Sequence, residues 1–210
     1  MSAKELLQHY LDRCPLVAII RGVEPDEVEA VGGAIHEGGI RIVEVPLNSP
    51  DPLASIERLV RQFGDDVLVG AGTVLDRADV RRVSDIGGRL IVSPNTNPEV
   101  IAAAAEAGLV SLPGYFTPSE AFAALRAGAH GLKLFPAEAA SPAVLKAQLA
   151  VVPREVPVIV VGGIKHNNMQ PWLEAGAAGF GLGSGLYRPG QSAAETLEHA
   201  RAYVAGVRGA

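Results

Sequence analysis

Eight short apolar runs, each followed by a stretch with helical signals, constrain this chain more than any other feature. They are "VAIIRG" (17–22), "RIVEVPLN" (41–48), "VLVGAGTV" (67–74), "RLIVSPN" (89–95), "LVSLPGY" (109–115), "GLKLFP" (131–136), "VPVIVVGGI" (156–164) and "GFGLGSGLY" (179–187). None alternates cleanly between apolar and polar residues. That is the pattern of strands covered on both faces in a parallel sheet.

Helices are predicted between the runs. Val28, Val31 and Ile35 follow "EPDE" at helical spacing, and Ile56, Leu59, Val60 and Phe63 follow "SPDP" in the same way. Asn97-Pro98, Thr117-Pro118 and Ser141-Pro142 each place a side-chain acceptor at an N-cap and proline in the first turn. "TPSE" (117–120) and "SAAE" (192–195) fit the capping box, in which glutamate reaches back to the cap. "EAG" (106–108), "RAG" (126–128) and "EAG" (174–176) end helices on glycine.

Eight strand–helix units predict an α/β fold, a (β/α)8 TIM barrel at the short end of its size range, with residues 1–210 as one domain. Residues 3–12 read as an extra N-terminal helix that caps the bottom of the barrel. An open doubly wound sheet is the alternative. It usually has fewer strands, and no G-x-G-x-x-G follows the first run.

The composition is 48% hydrophobic and 20% charged, with a net charge of -5 and no Lys/Arg-rich block. No nucleic-acid partner is expected from that balance. Cys14 is the one cysteine, so no intramolecular disulfide is expected and a reducing compartment fits. "MSAKELLQHYLDRCP" lacks the apolar core of a signal peptide, and no run reaches the roughly eighteen apolar residues of a membrane span. A soluble cytoplasmic protein without a membrane partner is expected. The five histidines show no metal-ligand spacing and Cys14 is isolated, so no metal is expected; separately, no cofactor is expected.

Active sites of such barrels lie at the C-terminal ends of the strands. There the runs offer Arg21, Glu44 and Asn48, Thr73, Ser93 and Asn95, Tyr115, Lys133, Gly162-Gly163, and Gly183-Ser184. Lys133 is the one lysine of four that lies inside a strand run. Burial lowers an ammonium pKa, and a neutral amine is a nucleophile that forms a Schiff base with a ketone. A lysine that merely pairs with a carboxylate across the barrel fits the same position. Glu44, the one acid inside a predicted strand, is either that partner or a proton shuttle for imine chemistry. Arg21 suits a two-bond clamp on a carboxylate or a rim salt bridge. Thr73 suits a bond to a substrate oxygen or plain strand packing. The glycine turns "VGGI" and "GLGSG", after the seventh and eighth runs, expose backbone N–H groups where barrels of this fold often bind phosphate.

Together these segments resemble the class I, pyruvate-dependent aldolases that cleave 2-keto-3-deoxy-6-phospho sugar acids. The resemblance runs from about Pro15 to Tyr203. It is carried by "AIIRG" (18–22), "VEVPLNSP" (43–50), "GAGTV" (70–74), "IVSPN" (91–95), "PGYFTPSEA" (113–121), "LKLFPAE" (132–138), "VVGGI" (160–164) and "GLGSGLYRPGQS" (181–192). The resemblance implies Lys133 as the Schiff-base lysine and Glu44 as the general acid/base. It implies Arg21 and Thr73 as holders of the pyruvate carboxylate, and Gly162, Gly163, Gly183 and Ser184 as the phosphate turns. It also implies a homotrimer, a phosphorylated keto-deoxy sugar acid as substrate, pyruvate as product, and no metal.

Gluconate-type members carry Thr before the glycine pair and the pattern L-R-T-P. This chain has Val161 and "LNSP" (47–50), and so resembles the branch acting on the galactonate epimer. A site that loses a hydroxyl at Val161 loses a partner for one C4 epimer. The gluconate epimer is the alternative substrate. A phosphate-binding isomerase or decarboxylase, or a barrel that senses a phosphorylated sugar acid without catalysis, are the rival functions.

Overall fold

The structure, a computed structural model, describes residues 1–209. Among them are nine strands: β1 (Leu16–Ile19), β2 (Ile42–Pro46), β3 (Leu68–Gly72), β4 (Leu90–Val92), β5 (Val110–Leu112), β6 (Gly114–Tyr115), β7 (Leu132–Leu134), β8 (Val158–Val161) and β9 (Gly179–Leu182). Every pairing is parallel, in the order β5-β4-β3-β2-β1-β9-β8-β7-β6. The two ends of that order, β5 and β6, are halves of the single run 109–115. The sheet therefore returns to its own start and forms a barrel.

The spacing predicts eight strands, and the ninth comes from Pro113. Proline has no N–H to give a ladder, so the fifth run breaks there. Its neighbours keep the ring bonded. The Gly114 N–H donates to the Ser93 carbonyl at 2.9 Å, and the Lys133 N–H donates to the Pro113 carbonyl at 2.9 Å.

The helices are α1 (Ala3–Arg13), α2 (Val28–Glu37), α3 (Pro52–Phe63), α4 (Arg77–Asp85), α5 (Pro98–Glu106), α6 (Pro118–Arg126), α7 (Pro142–Leu149), α8 (Gln170–Glu174) and α9 (Ala193–Arg208). The caps read from sequence form at α5, α6 and α7, where Asn97, Thr117 and Ser141 accept backbone N–H bonds ahead of a first-turn proline. Thr117 and Glu120 make the full capping box. At α9 only half of it forms. Ser192 accepts from the Glu195 N–H, and no reciprocal bond from the Ser192 N–H to Glu195 is present. A full box that the spacing did not flag, Ser2 with Glu5, starts α1. Gly108, Gly128 and Gly176 stop their helices at φ 71°, 103° and 103°.

Strand alternation divides the core in two. Val17, Ile19, Ile42, Leu68, Leu90, Val92 and Ile159 point into the barrel. Val43, Val45, Val69, Ala71, Val158, Val160, Phe180 and Leu182 point out to the helices. Leu7, Tyr10 and Leu11 of α1 join the inner cluster and plug the barrel from below. Burying a leucine side chain contributes about 1.5–3 kcal/mol, so α1 is an integral layer of the fold. Among the described residues no helix is long and apolar enough to cross a membrane.

Candidate active site

The inner face switches from apolar to polar one layer above that plug. On β2, Ile42 points inward, and so does Glu44 two residues later, opposite Ile19 on β1 and Gly70 on β3. On β7 the inward residue is Lys133, between Gly114 and Ile159. Both side chains are buried, with Glu44 at 1% and Lys133 at 6% relative exposure. A small void of about 10 Å3 touches both. Above it opens a cavity of about 540 Å3 at the C-terminal ends of the strands.

That cavity brings together Arg21, Thr73, Lys133, Val161, Gly162, Gly163, Gly183 and Ser184. Glu44 does not line it but faces the small void beneath, which Lys133 also lines. The other strand-end candidates go elsewhere. The Ser93 hydroxyl donates to the Val74 carbonyl at 2.7 Å, and the Tyr115 hydroxyl donates to Gln148 on α7 at 3.0 Å. Asn95 is exposed and does not line the cavity.

Glu44 and Lys133 do not behave as a structural ion pair. No salt bridge joins them among the described residues. Glu44 Oε2 is buried without a hydrogen-bond partner. Burial pushes the Glu44 carboxyl up to about 7, against the opposing pull of Lys133 and Arg21. Burial likewise lowers the Lys133 ammonium, the Glu44 carboxylate opposes that, and Arg21 adds to it. The Lys133 Nζ lies 5.0 Å from the centroid of the Phe135 ring. An amine held towards its neutral form, facing a cavity beside a carboxyl that titrates near neutrality, suits imine formation and proton transfer.

Glycine makes room for this carboxyl. A Cβ on Gly72 would fall 1.4 Å from Glu44 Oε2. The "GAGTV" run thus supplies the hollow in which the acid sits. Its next residue, Thr73, is held at φ 55°, a left-handed conformation that is uncommon for a β-branched side chain. Such strain concentrates at ligand sites. Thr73 Oγ1 accepts from Arg21 Nη2 at 3.3 Å, and Arg21 Nη1 donates to Asn48 Oδ1. The guanidinium is fixed at the cavity mouth by two neutral partners, and among the described residues no salt bridge engages it.

At the far end, Gly162 (φ 115°) and Gly163 (φ 65°) form a turn that only glycine adopts easily. The Glu138 carboxylate rests on it, with Oε2 2.0 Å from where a Gly162 Cβ would be. Glu138, Lys165, Tyr187 and Arg188 also line the cavity and were not among the candidates read from the sequence. Lys165, Tyr187 and Arg188 sit on loops and Glu138 in a single 3-10 turn (Ala137–Ala139), where period-based patterns give no direction. The available signal was that Lys165 adjoins the glycine turn and Arg188 lies in "GLYRPGQS". Among the described residues no three His, Cys, Asp or Glu side chains come together to hold a metal.

A closed parallel barrel with a buried lysine at the base of its C-terminal cavity has the parts that a carbon–carbon lyase working through an amine would need. The comparisons narrow this. The model of the family described as KDPG and KHG aldolase matches residues 7–200. A probable 2-dehydro-3-deoxy-6-phosphogalactonate aldolase of Rhizobium meliloti (strain 1021) is 49% identical, over 91% of this chain and 90% of its own. A solved structure described as native KDPGal is 46% identical, with a TM-score of 0.92 over 94% of this chain and 96% of that one. A KDPG aldolase from Legionella pneumophila, with pyruvate captured as a covalent carbinolamine, is 26% identical, with a TM-score of 0.79 over 97% and 98%. This chain belongs to the KDPG and KHG aldolase family.

Proposed function

We propose that this chain is a class I aldolase that cleaves 2-dehydro-3-deoxy-6-phosphogalactonate to pyruvate and D-glyceraldehyde 3-phosphate. The observation that carries this is Lys133, an unpaired strand lysine buried at the base of the cavity, its ammonium lowered by that burial. Its neutral amine attacks the C2 ketone. The carbinolamine loses water to give an iminium. Glu44, through a water, takes the C4 hydroxyl proton as the C3–C4 bond breaks, and the bonding pair moves into the iminium to give an enamine. The aldehyde leaves. Glu44 returns the proton to C3, and hydrolysis of the second iminium releases pyruvate and the free amine. Arg21 and Thr73 hold the substrate carboxylate. The turns at Gly162-Gly163 and Gly183-Ser184 receive the phosphate. Val161, buried at the cavity wall, favours the galactonate epimer over the gluconate one. Residues 1–210 work as one barrel domain, in the cytoplasm. The homotrimer that the family resemblance implies is part of this proposal.

The test is incubation with pyruvate and borohydride, then peptide mass mapping. A reduced pyruvate adduct on Lys133 is expected. A folded sample without any adduct overturns the proposal in favour of the isomerase or sensor functions. The branch is tested separately: kcat/KM is expected to be higher for the galactonate epimer, and the opposite ratio overturns that assignment.

A further inference from the structure

The Gly162-Gly163 turn is an incomplete anion site by itself, because the Glu138 carboxylate lies directly on it. A phosphate dianion placed there meets a like charge, which costs binding unless nearby cations outweigh it. Two cations line the same end of the cavity, Lys165 and Arg188, and neither has an acidic partner among the described residues. Arg188 Nε donates to the Ser184 carbonyl at 2.9 Å. That bond lays the guanidinium along the Gly183–Gly185 turn and commits none of its Nη hydrogens.

The segment that carries Arg188 is fastened on both sides. Tyr187 is buried, and its hydroxyl donates to Glu27 Oε1 at 2.5 Å. Pro189 packs on the first strand's exit, its Cγ 2.6 Å from where a Gly22 Cβ would be. Gln191 Nε2 donates to the Leu186 carbonyl at 2.8 Å, and the Gln191 N–H donates to the Arg188 carbonyl at 3.0 Å. An arginine on so constrained a loop gives up less backbone freedom when it binds, and its Nε bond to Ser184 already restrains the side chain.

We propose that Arg188, assisted by Lys165, is the charge clamp that selects a phosphate-bearing substrate at the far end of this cavity. This rests on the aldolase function proposed above, with the phosphate end distinct from the imine end. Backbone amides supply hydrogen bonds without net charge, whereas the guanidinium fork supplies charge and two parallel donors. Arg188 thereby offsets Glu138 and ties affinity to the phosphate.

The experiment measures binding of inorganic phosphate by calorimetry to the wild-type protein, Arg188→Ala and Arg188→Lys. A loss on the order of 10- to 100-fold is expected for Arg188→Ala, the scale of a charged hydrogen-bond partner. Arg188→Lys is expected to recover part of it. With the phosphorylated keto acid, Arg188→Ala is expected to raise KM far more than it lowers kcat. Phosphate affinity within twofold of wild type in both variants, or no phosphate binding by the wild type, overturns the clamp. Pyruvate carries no phosphate, so borohydride trapping in the same samples reports the imine step on its own. A failure of trapping therefore counts against the aldolase function and leaves the phosphate result to decide the clamp.

Discussion

Lys133→Ala is expected to abolish turnover while the barrel stays folded. Removing the covalent nucleophile closes the iminium route, and a fall of about 10⁴-fold or more in kcat is the expected scale. Stability moves the other way or little. A lysine whose folded pKa is lowered weakens the fold at every pH below its unfolded value, because the folded chain binds that proton more weakly than the unfolded chain does. At neutral pH the alanine variant is relieved of this cost. Against that, it loses the packing of the lysine stem and leaves a small cavity. Lys133→Met keeps most of the volume and separates the two effects. Steady-state assay with circular dichroism melts is the check. Turnover above one-hundredth of wild type in either variant would remove Lys133 from the chemistry. A collapsed melting transition in both would instead restore it to a structural ion pair, which the absence of a salt bridge to Glu44 argues against.

Lys133 and Glu44 were legible because each contradicts its surroundings. A charged residue in a run destined for burial is rare without a partner or a use. The caps at Asn97, Thr117 and Ser141 were legible because capping chemistry is local. What failed was what depends on direction. Position at a strand end does not say which face a side chain takes. Tyr115, taken from the end of the fifth run, points out to Gln148, whereas Lys133 points in. The break at Pro113 was visible as a proline, but its consequence, one run bonded to different neighbours through its two halves, belongs to barrel closure. Lys165 and Arg188 reach the cavity through loop geometry, which for Arg188 is fixed by a contact far away in sequence, Tyr187 with Glu27, and Glu138 reaches it from a single 3-10 turn. The Asn48 bond to Arg21 is of the same kind. Its residue was noted in "LNSP", while its partner lay in another strand's exit.

Glu44→Gln is expected to slow catalysis by roughly 10²–10⁴-fold, the usual range for a general acid–base group. The cleanest readout is exchange of deuterium from solvent into the methyl group of pyruvate. That reaction needs the enamine and its proton shuttle but no phosphate, whose own titration near pH 6 would otherwise confuse the profile. With the Glu44 carboxyl pushed up to about 7, wild-type exchange is expected to rise with pH through about 7, and the glutamine variant is expected to lose that limb. The stability consequence has a definite sign. Between the usual 4.5 and about 7 the folded chain keeps a proton on Glu44 that the unfolded chain has lost, so stability falls as pH rises through that window and stays lower above it. Glu44→Gln is therefore expected to melt higher relative to wild type at pH 8 than at pH 5, by an amount on the order of 3 kcal/mol in unfolding free energy. Gly72→Ala tests the same carboxyl from outside. Its Cβ would meet Glu44 Oε2, so the acid must move, and the pH limb is expected to shift or vanish with Glu44 still present. An exchange profile unchanged in both variants would leave Glu44 as mere lining. A limb lost in Glu44→Gln and displaced in Gly72→Ala would tie the proton shuttle to the one buried carboxyl and to the glycine hollow that holds it.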